Sequence, residues 1–237
     1  NNGLQTVVGQ LQAVWTPTFS GVISFADTIV VAANLAIQFA STPSGNNNGL
    51  PATQTLFLPL RVGRVDLPNC NGIDTEIPPT SLSFPEMNAF FNRRFGLTPT
   101  EIVAALGAHS LGRAEASNTG IEGGWISFQS SFTNNYFSTL LGIPWALDNN
   151  NVFRANNQNI MLNVDTELAI SPSSACTFFD AQTFNGRDGA CPLNALGLVA
   201  VRQFADFNGG TAAWYGVFES AWTKMTEAGQ TGLVAPA

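Results

Sequence analysis

Few side chains in this sequence are equipped for chemistry. Its 237 residues include one histidine, His109, and three cysteines, Cys70, Cys176 and Cys191. The cysteine spacing fits no metal motif, and a single histidine cannot complete a Cys/His zinc site. Cys176 and Cys191 bracket a loop rich in Asp, Asn and Gly and read as a disulfide pair, although spacing alone cannot fix the pairing. Cys70 is left over beside Pro68 and Asn69 in a polar loop. What remains is imidazole chemistry. A neutral imidazole can ligate a metal or haem iron; a solitary histidine on an apolar helical face otherwise reads as a hydrogen-bonded core residue.

The segment that must position His109 carries helix signals at both ends. Thr98 is an N-cap, Pro99 fits the first helical position, and Glu101 closes a Thr-x-x-Glu capping box. Gly112 supplies a left-handed stop. Ile102, Ala105, Leu106 and His109 share one face, since they lie three, four and seven residues apart. The histidine is therefore expected in the last turn of a helix, pointing inward.

Ala105-Leu106-Gly107-Ala108-His109-Ser110-Leu111-Gly112-Arg113 resembles the proximal-histidine helix of the plant, fungal and bacterial haem peroxidases. Small residues beside the histidine would let a flat macrocycle approach. Glu122-Gly123-Gly124-Trp125 follows sixteen residues on, where cytochrome c peroxidase-like members carry a proximal tryptophan. Met161-Leu162-Asn163-Val164-Asp165-Thr166-Glu167-Leu168 is similar to the family's Met-Leu-x-x-Asp-x-x-Leu, whose aspartate holds the proximal histidine. The likeness continues upstream in Gly63-Arg64-Val65-Asp66 and Asn2-Gly3-Leu4-Gln5. It implies a mostly α fold, a haem-peroxidase-like helical bundle in a single domain over 1–237. It also implies haem b on His109 as axial iron ligand, with Ala105, Leu106 and Arg113 beside the cofactor. Asp165 would be the histidine's partner and Trp125 a radical or electron-transfer site. Hydrogen peroxide and an unknown reductant would be the substrates.

Departures from the family pattern narrow this. Asn118, nine residues after the histidine, stands where ascorbate peroxidases carry arginine. The stretch after Trp125 lacks the Thr, Asn and Asp pattern of a proximal cation site. Ile126 and Phe128 offer no side-chain oxygen, so neither calcium nor potassium is expected there. Peroxide cleavage also needs a distal base and a cation. The family supplies them on an Arg-x-x-x-His helix, and this sequence has no second histidine. The bundle is thus expected to lack the N-terminal distal helices and to be a proximal part. A distal segment would lie upstream or on a second chain, linked through Cys70. The alternative is a non-catalytic structural or assembly subunit of an extracellular homo-oligomer or fibre.

Composition bounds the rest. Hydrophobic residues make up 45% and charged residues 11%, with one lysine, Lys224. The net charge of -7 excludes the basic footprint of nucleic-acid binding. The longest apolar candidate, 28–40, is too short to span a membrane. An acidic, lysine-poor chain with a cysteine pair points to a secreted, extracellular product.

Apolar spacing predicts helices over 4–15 and 25–39, the second apolar nearly all round and hence central, with Ser24 and Asp27 as capping partners. Residues 44–49 form a polar loop, 56–66 an extended segment and 67–82 a proline-containing loop. Ser83 and Glu86 open a helix that stops at Gly96. A short helix is expected over 133–141 and closing helices over 196–207 and 212–228; the Asp165 segment reads as turn or strand. Trp214, Val217, Phe218, Ala221, Trp222 and Met225 form a stripe that reads as core packing.

Overall fold

The computed structural model describes residues 3–42, 55–69, 77–155, 158–171, 176–180 and 191–236. Cys70 and the 44–49 loop lie outside the described residues. The helices are α1 (Leu4–Thr18), α2 (Phe25–Ser41), α3 (Phe84–Phe95), α4 (Pro99–Leu106), α5 (Ala116–Thr119), α6 (Asn135–Gly142), α7 (Asn163–Thr166), α8 (Ala195–Ala205) and α9 (Gly210–Glu227). The described residues are mostly helical, as expected, and among them no helix is long and apolar enough to cross a membrane.

The core lies among α4, α6, α8 and α9. Trp214 and Phe218 of α9 and Phe137 of α6 are fully buried there. The Thr98–Glu101 capping box forms, and the Glu101 side chain also reaches α9, accepting from Ser220 Oγ at 2.7 Å and Lys224 Nζ at 2.8 Å. One acidic residue therefore caps α4 and clips it to α9.

Helix α2 departs from its prediction. Ser24 caps it by accepting from Asp27 N, and the Asp27 carboxylate, bonded to the Ser24 side chain, also reaches Gly63 N and Arg64 Nη1 at 2.8 Å each. Far from being central, α2 leaves Ile29, Leu35 and Phe39 exposed. Helix α1 buries none of its residues and runs past the expected stop, keeping Pro17 in its last turn. The predicted extended segment is confirmed and is tied by a bridge between Val62 and Val234.

A four-stranded antiparallel sheet, order β3-β2-β1-β4, escaped prediction: β1 (Pro144–Leu147), β2 (Phe153–Arg154), β3 (Ile160–Met161) and β4 (Phe178–Asp180). Its strands are two to four residues long, too short for an alternating pattern to register. Trp145 pairs with Phe179 and Phe153 with Met161, and all four are buried. Cys176, which precedes β4, is disulfide-bonded to Cys191, as the loop composition indicated.

Candidate functional site

His109 stands at the end of α4, but not in an α-helical turn. After Leu106 the chain tightens into a 3-10 turn over Gly107–Ser110. The cause is local. The Ala104 carbonyl accepts from Trp214 Nε1 at 2.9 Å and from the Gly107 N–H, so it is drawn from its regular α-helical partner. Gly107 is required at this crossing, because a Cβ there would meet Trp214 Nε1 at 2.6 Å and Phe137 Cζ at 2.7 Å. The stop expected at Gly112 comes earlier: the 3-10 turn ends at Ser110 with Leu111 already extended, and Gly112, at φ 77°, follows it.

Asp165 is brought to His109 by the unpredicted sheet. Strand β3 runs directly into α7, whose single turn carries Asp165 inward, fully buried. Four donors converge on its carboxylate. His109 Nδ1 lies 2.8 Å from Oδ1, and Tyr136 Oη donates to the same oxygen at 2.6 Å. Trp125 Nε1 and Leu162 N donate to Oδ2 at 2.8 and 2.7 Å. Burial pushes this carboxyl up, but the His109 charge and the bonds from His109, Tyr136 and Trp125 outweigh it and hold the group below its ordinary value. Asp165 accepts from the Nδ1–H of His109, so Nε2 is the ring nitrogen that the carboxylate does not hold.

Trp125 is placed by backbone pairing on both sides. Ala114 pairs with Gly123, Leu111 with Ser130, and Ile160 N of β3 donates to Gly124 O at 3.0 Å. Gly123, at φ 140°, passes so close to Ile160 that a Cβ would lie 2.7 Å from its Cγ2. The result is an indole stacked on the imidazole, with centroids 4.2 Å apart and an interplanar angle of 18°. Tyr136 meets the same imidazole edge-on at 6.1 Å.

The structure thus brings together three residues singled out in the sequence, His109, Trp125 and Asp165, and adds a fourth. Tyr136 had read only as one residue of the short helix expected over 133–141. Its signal was the hydroxyl itself, since a buried tyrosine needs a partner. Burial and the Asp165 charge and hydrogen bond raise its own pKa well above the ordinary value. Ala105 and Leu106 are half-buried on the approach to His109. Arg113 is exposed and ion-paired with Glu115 at 3.0 Å and with Glu122.

Among the described residues, no three His, Cys, Asp or Glu side chains group as a metal cage. What the site offers is a single imidazole nitrogen, its ring held on three sides and its side chain 31% exposed. That donor set fits a metal whose remaining ligands come with it, as haem iron's do.

Comparison with known proteins agrees with this geometry. The family model described as peroxidase matches residues 1–183. The mitochondrial cytochrome c peroxidase of Yarrowia lipolytica is 32% identical over 178 residues, which is 70% of this chain and 51% of that protein. That of Candida glabrata is 34% identical over 102 residues, 43% of this chain and 29% of its own. A provisionally named heme-binding peroxidase of Debaryomyces hansenii is 31% identical over 161 residues, 63% of this chain and 34% of its own. The chain spans about half the length of the Yarrowia protein and less of the other two. The extracellular expectation is corrected by these relatives, two of which are named as mitochondrial. It rested on scarce lysine and a cysteine pair, and surface composition and one disulfide do not specify an address. With the family model matched from residue 1 to 183 and its proximal motifs assembled on one buried carboxylate, this chain belongs to the haem peroxidase superfamily and is cytochrome c peroxidase-like.

Proposed function

We propose that this chain supplies the proximal half of a haem site in a peroxide-dependent oxidoreductase, with hydrogen peroxide and a one-electron reductant as substrates. The observation that carries the reading is the Asp165 carboxylate, which accepts from His109 Nδ1 at 2.8 Å while Trp125 lies flat against the imidazole. His109 Nε2 would hold the iron. Haem, when bound, supplies the electron-transfer and peroxide chemistry. The residues supply orientation and charge. Asp165 fixes the tautomer and makes the imidazole a stronger donor, which favours oxidised iron. Trp125 covers one face of the ring and Tyr136 meets its edge. Ala105 and Leu106 would line the cofactor edge, with Arg113 at its rim. The three cysteines form no C-x-x-C-H, which supports a non-covalent b-type haem. No proximal calcium or potassium is invoked.

The sole histidine is committed to Asp165, so a proton-moving base on the opposite face is proposed to come from outside these residues. Cys70 is a candidate link to that segment. The naming of the relatives supports a mitochondrial location.

A second reading, a non-catalytic assembly subunit, is favoured by one observation. Helix α1 leaves Leu4, Val7, Val8 and Val14 exposed.

Titration of the chain with haem, followed by absorption, separates the two. The peroxidase reading expects a Soret band that is lost in His109→Ala. It also expects haem affinity about 10–100-fold weaker in Asp165→Asn. A folded chain that gives no band supports the subunit reading.

A further inference from the structure

The aromatic side chains of α9 do more than fill the core. Ring follows ring from the proximal site to a partly exposed position on α9. Tyr136 meets Phe137 at 5.1 Å between centroids, and Phe137 meets Trp214 at 5.5 Å. Trp214 meets Phe218 at 5.9 Å, and Phe218 stacks on Trp222 at 5.9 Å and 18°. The inner end touches His109, and the outer end, Trp222, is partly exposed and donates to Asn34 Oδ1 at 2.8 Å. Leucine would pack such a core as well; indole and phenol add side chains that lose one electron reversibly.

We propose that Tyr136, Trp214 and Trp222 form an electron relay between the proximal site and the α9 surface, with Phe137 and Phe218 bridging the gaps. Trp214 and Trp222 are eight residues apart, about 12 Å along the helix, and the Phe218 ring fills that interval. The relay rests on the peroxidase reading for its physiological oxidant. A haem oxidised by peroxide would be the one-electron acceptor; as Tyr136 gives up its electron, the phenolic O–H bond breaks and its proton crosses to Asp165 Oδ1. Trp222, through Trp214, returns an electron to Tyr136, and the proton comes back from Asp165. Trp222 releases its own N–H proton to solvent. A one-electron donor of the phenol or thiol class then restores it, solvent returning the proton.

The chain has two tyrosines, Tyr136 and Tyr215, and their partners differ in kind. Tyr136 donates to a carboxylate, which can accept its proton. Tyr215 touches Trp214 at 5.2 Å but donates to the Phe132 carbonyl, which cannot. The relay therefore ends at the more distant tyrosine.

A wire conducts both ways, so its inward direction can be read without cofactor. Of the five tryptophans, Trp15 and Trp222 are partly exposed and the others are buried. The haem-free 237-residue chain carrying Trp15→Phe is oxidised with azide radicals generated by pulse radiolysis. Azide radical becomes azide as Trp222 loses an electron and its N–H proton. Indolyl absorbance is expected to decay into that of a tyrosyl radical, at a first-order rate independent of protein concentration. Tyr136→Phe should remove the tyrosyl product and Tyr215→Phe should keep it. Trp214→Phe should slow its formation about tenfold or more, with near-UV circular dichroism checking the fold. Trp222→Phe, at a partly exposed position at the edge of the core, should abolish the fast phase while keeping an aromatic ring against Phe218. The relay is overturned if the indolyl radical survives until bimolecular decay, if Tyr215→Phe removes the product, or if Trp222→Phe leaves the fast phase intact. A missing Soret band would undo the peroxidase reading and leave these outcomes unchanged.

Discussion

At the scale of single residues, the site is governed by how many donors one buried carboxylate satisfies. Asp165 has four, so removing one leaves three holding it ionised. Tyr136→Phe is therefore expected to keep the His109–Asp165 pair and to cost about 1–2 kcal/mol of stability, read by urea denaturation. Asp165→Ala should cost more, about 3 kcal/mol or above, because four donors, two of them buried, lose their acceptor together. A second carboxylate behaves oppositely. Glu167 is 2% exposed and accepts from Phe84 N at 3.0 Å. Burial and the nearby Glu86 raise its pKa. A carboxyl raised on folding binds more protons in the native state, so stability falls as pH rises past the unfolded value of 4.5. Glu167→Gln should accordingly raise Tm at pH 7 and change it little at pH 4; an equal shift at both values would refute the assignment. His109, Trp125 and Asp165 were legible in the sequence because each is a rare residue inside a spaced motif. Tyr136 was not, because nothing in a short helical segment says which hydroxyl finds a partner.

Among elements, the joint between α4 and α9 decides whether His109 is delivered. Gly107→Ala would force a methyl group into Trp214 and Phe137, and about 1–3 kcal/mol of destabilisation is expected from such overpacking. The clip at the other end of α4 has a defined pH range. Although burial opposes it, bonds from Lys224, Ser220 and Thr98 bring the Glu101 pKa down from 4.5 to about 2. A carboxyl depressed on folding stabilises above the unfolded value, and the contribution fades as pH falls from 4.5 toward 2. Glu101→Gln should cost about 2 kcal/mol at pH 7, discounted for the partial exposure of Lys224, and almost nothing near pH 2. The capping boxes at Ser83 and Thr98 announced their helices correctly, since capping is local chemistry. The 3-10 turn at His109 was hidden, because an indole from a helix more than a hundred residues later competes for the Ala104 carbonyl.

For the molecule as a whole, order is unevenly shared. Helix α1 contributes no buried residue, whereas α9 is threaded through the core. Amide hydrogen exchange should open α1 well before α4 or α9, and matching protection in all three would contradict this. The fold class was readable because helical periodicity survives over ten or more residues. Which apolar face is covered was not, and α2 shows why: its composition promised burial, but burial is a property of neighbours. Folding time enters through Arg64. The residue is 8% exposed, and its guanidinium pairs with Asp27 but also donates to the Thr226 carbonyl from Nε and Nη2, at 3.1 and 2.8 Å. Those partners are 162 residues apart. A ribosome adding about 5–20 residues per second needs roughly 8–30 s to cover that distance. Throughout that interval the nascent chain holds a cation whose burial cannot be completed, and a chaperone that binds exposed basic segments has that long to find it.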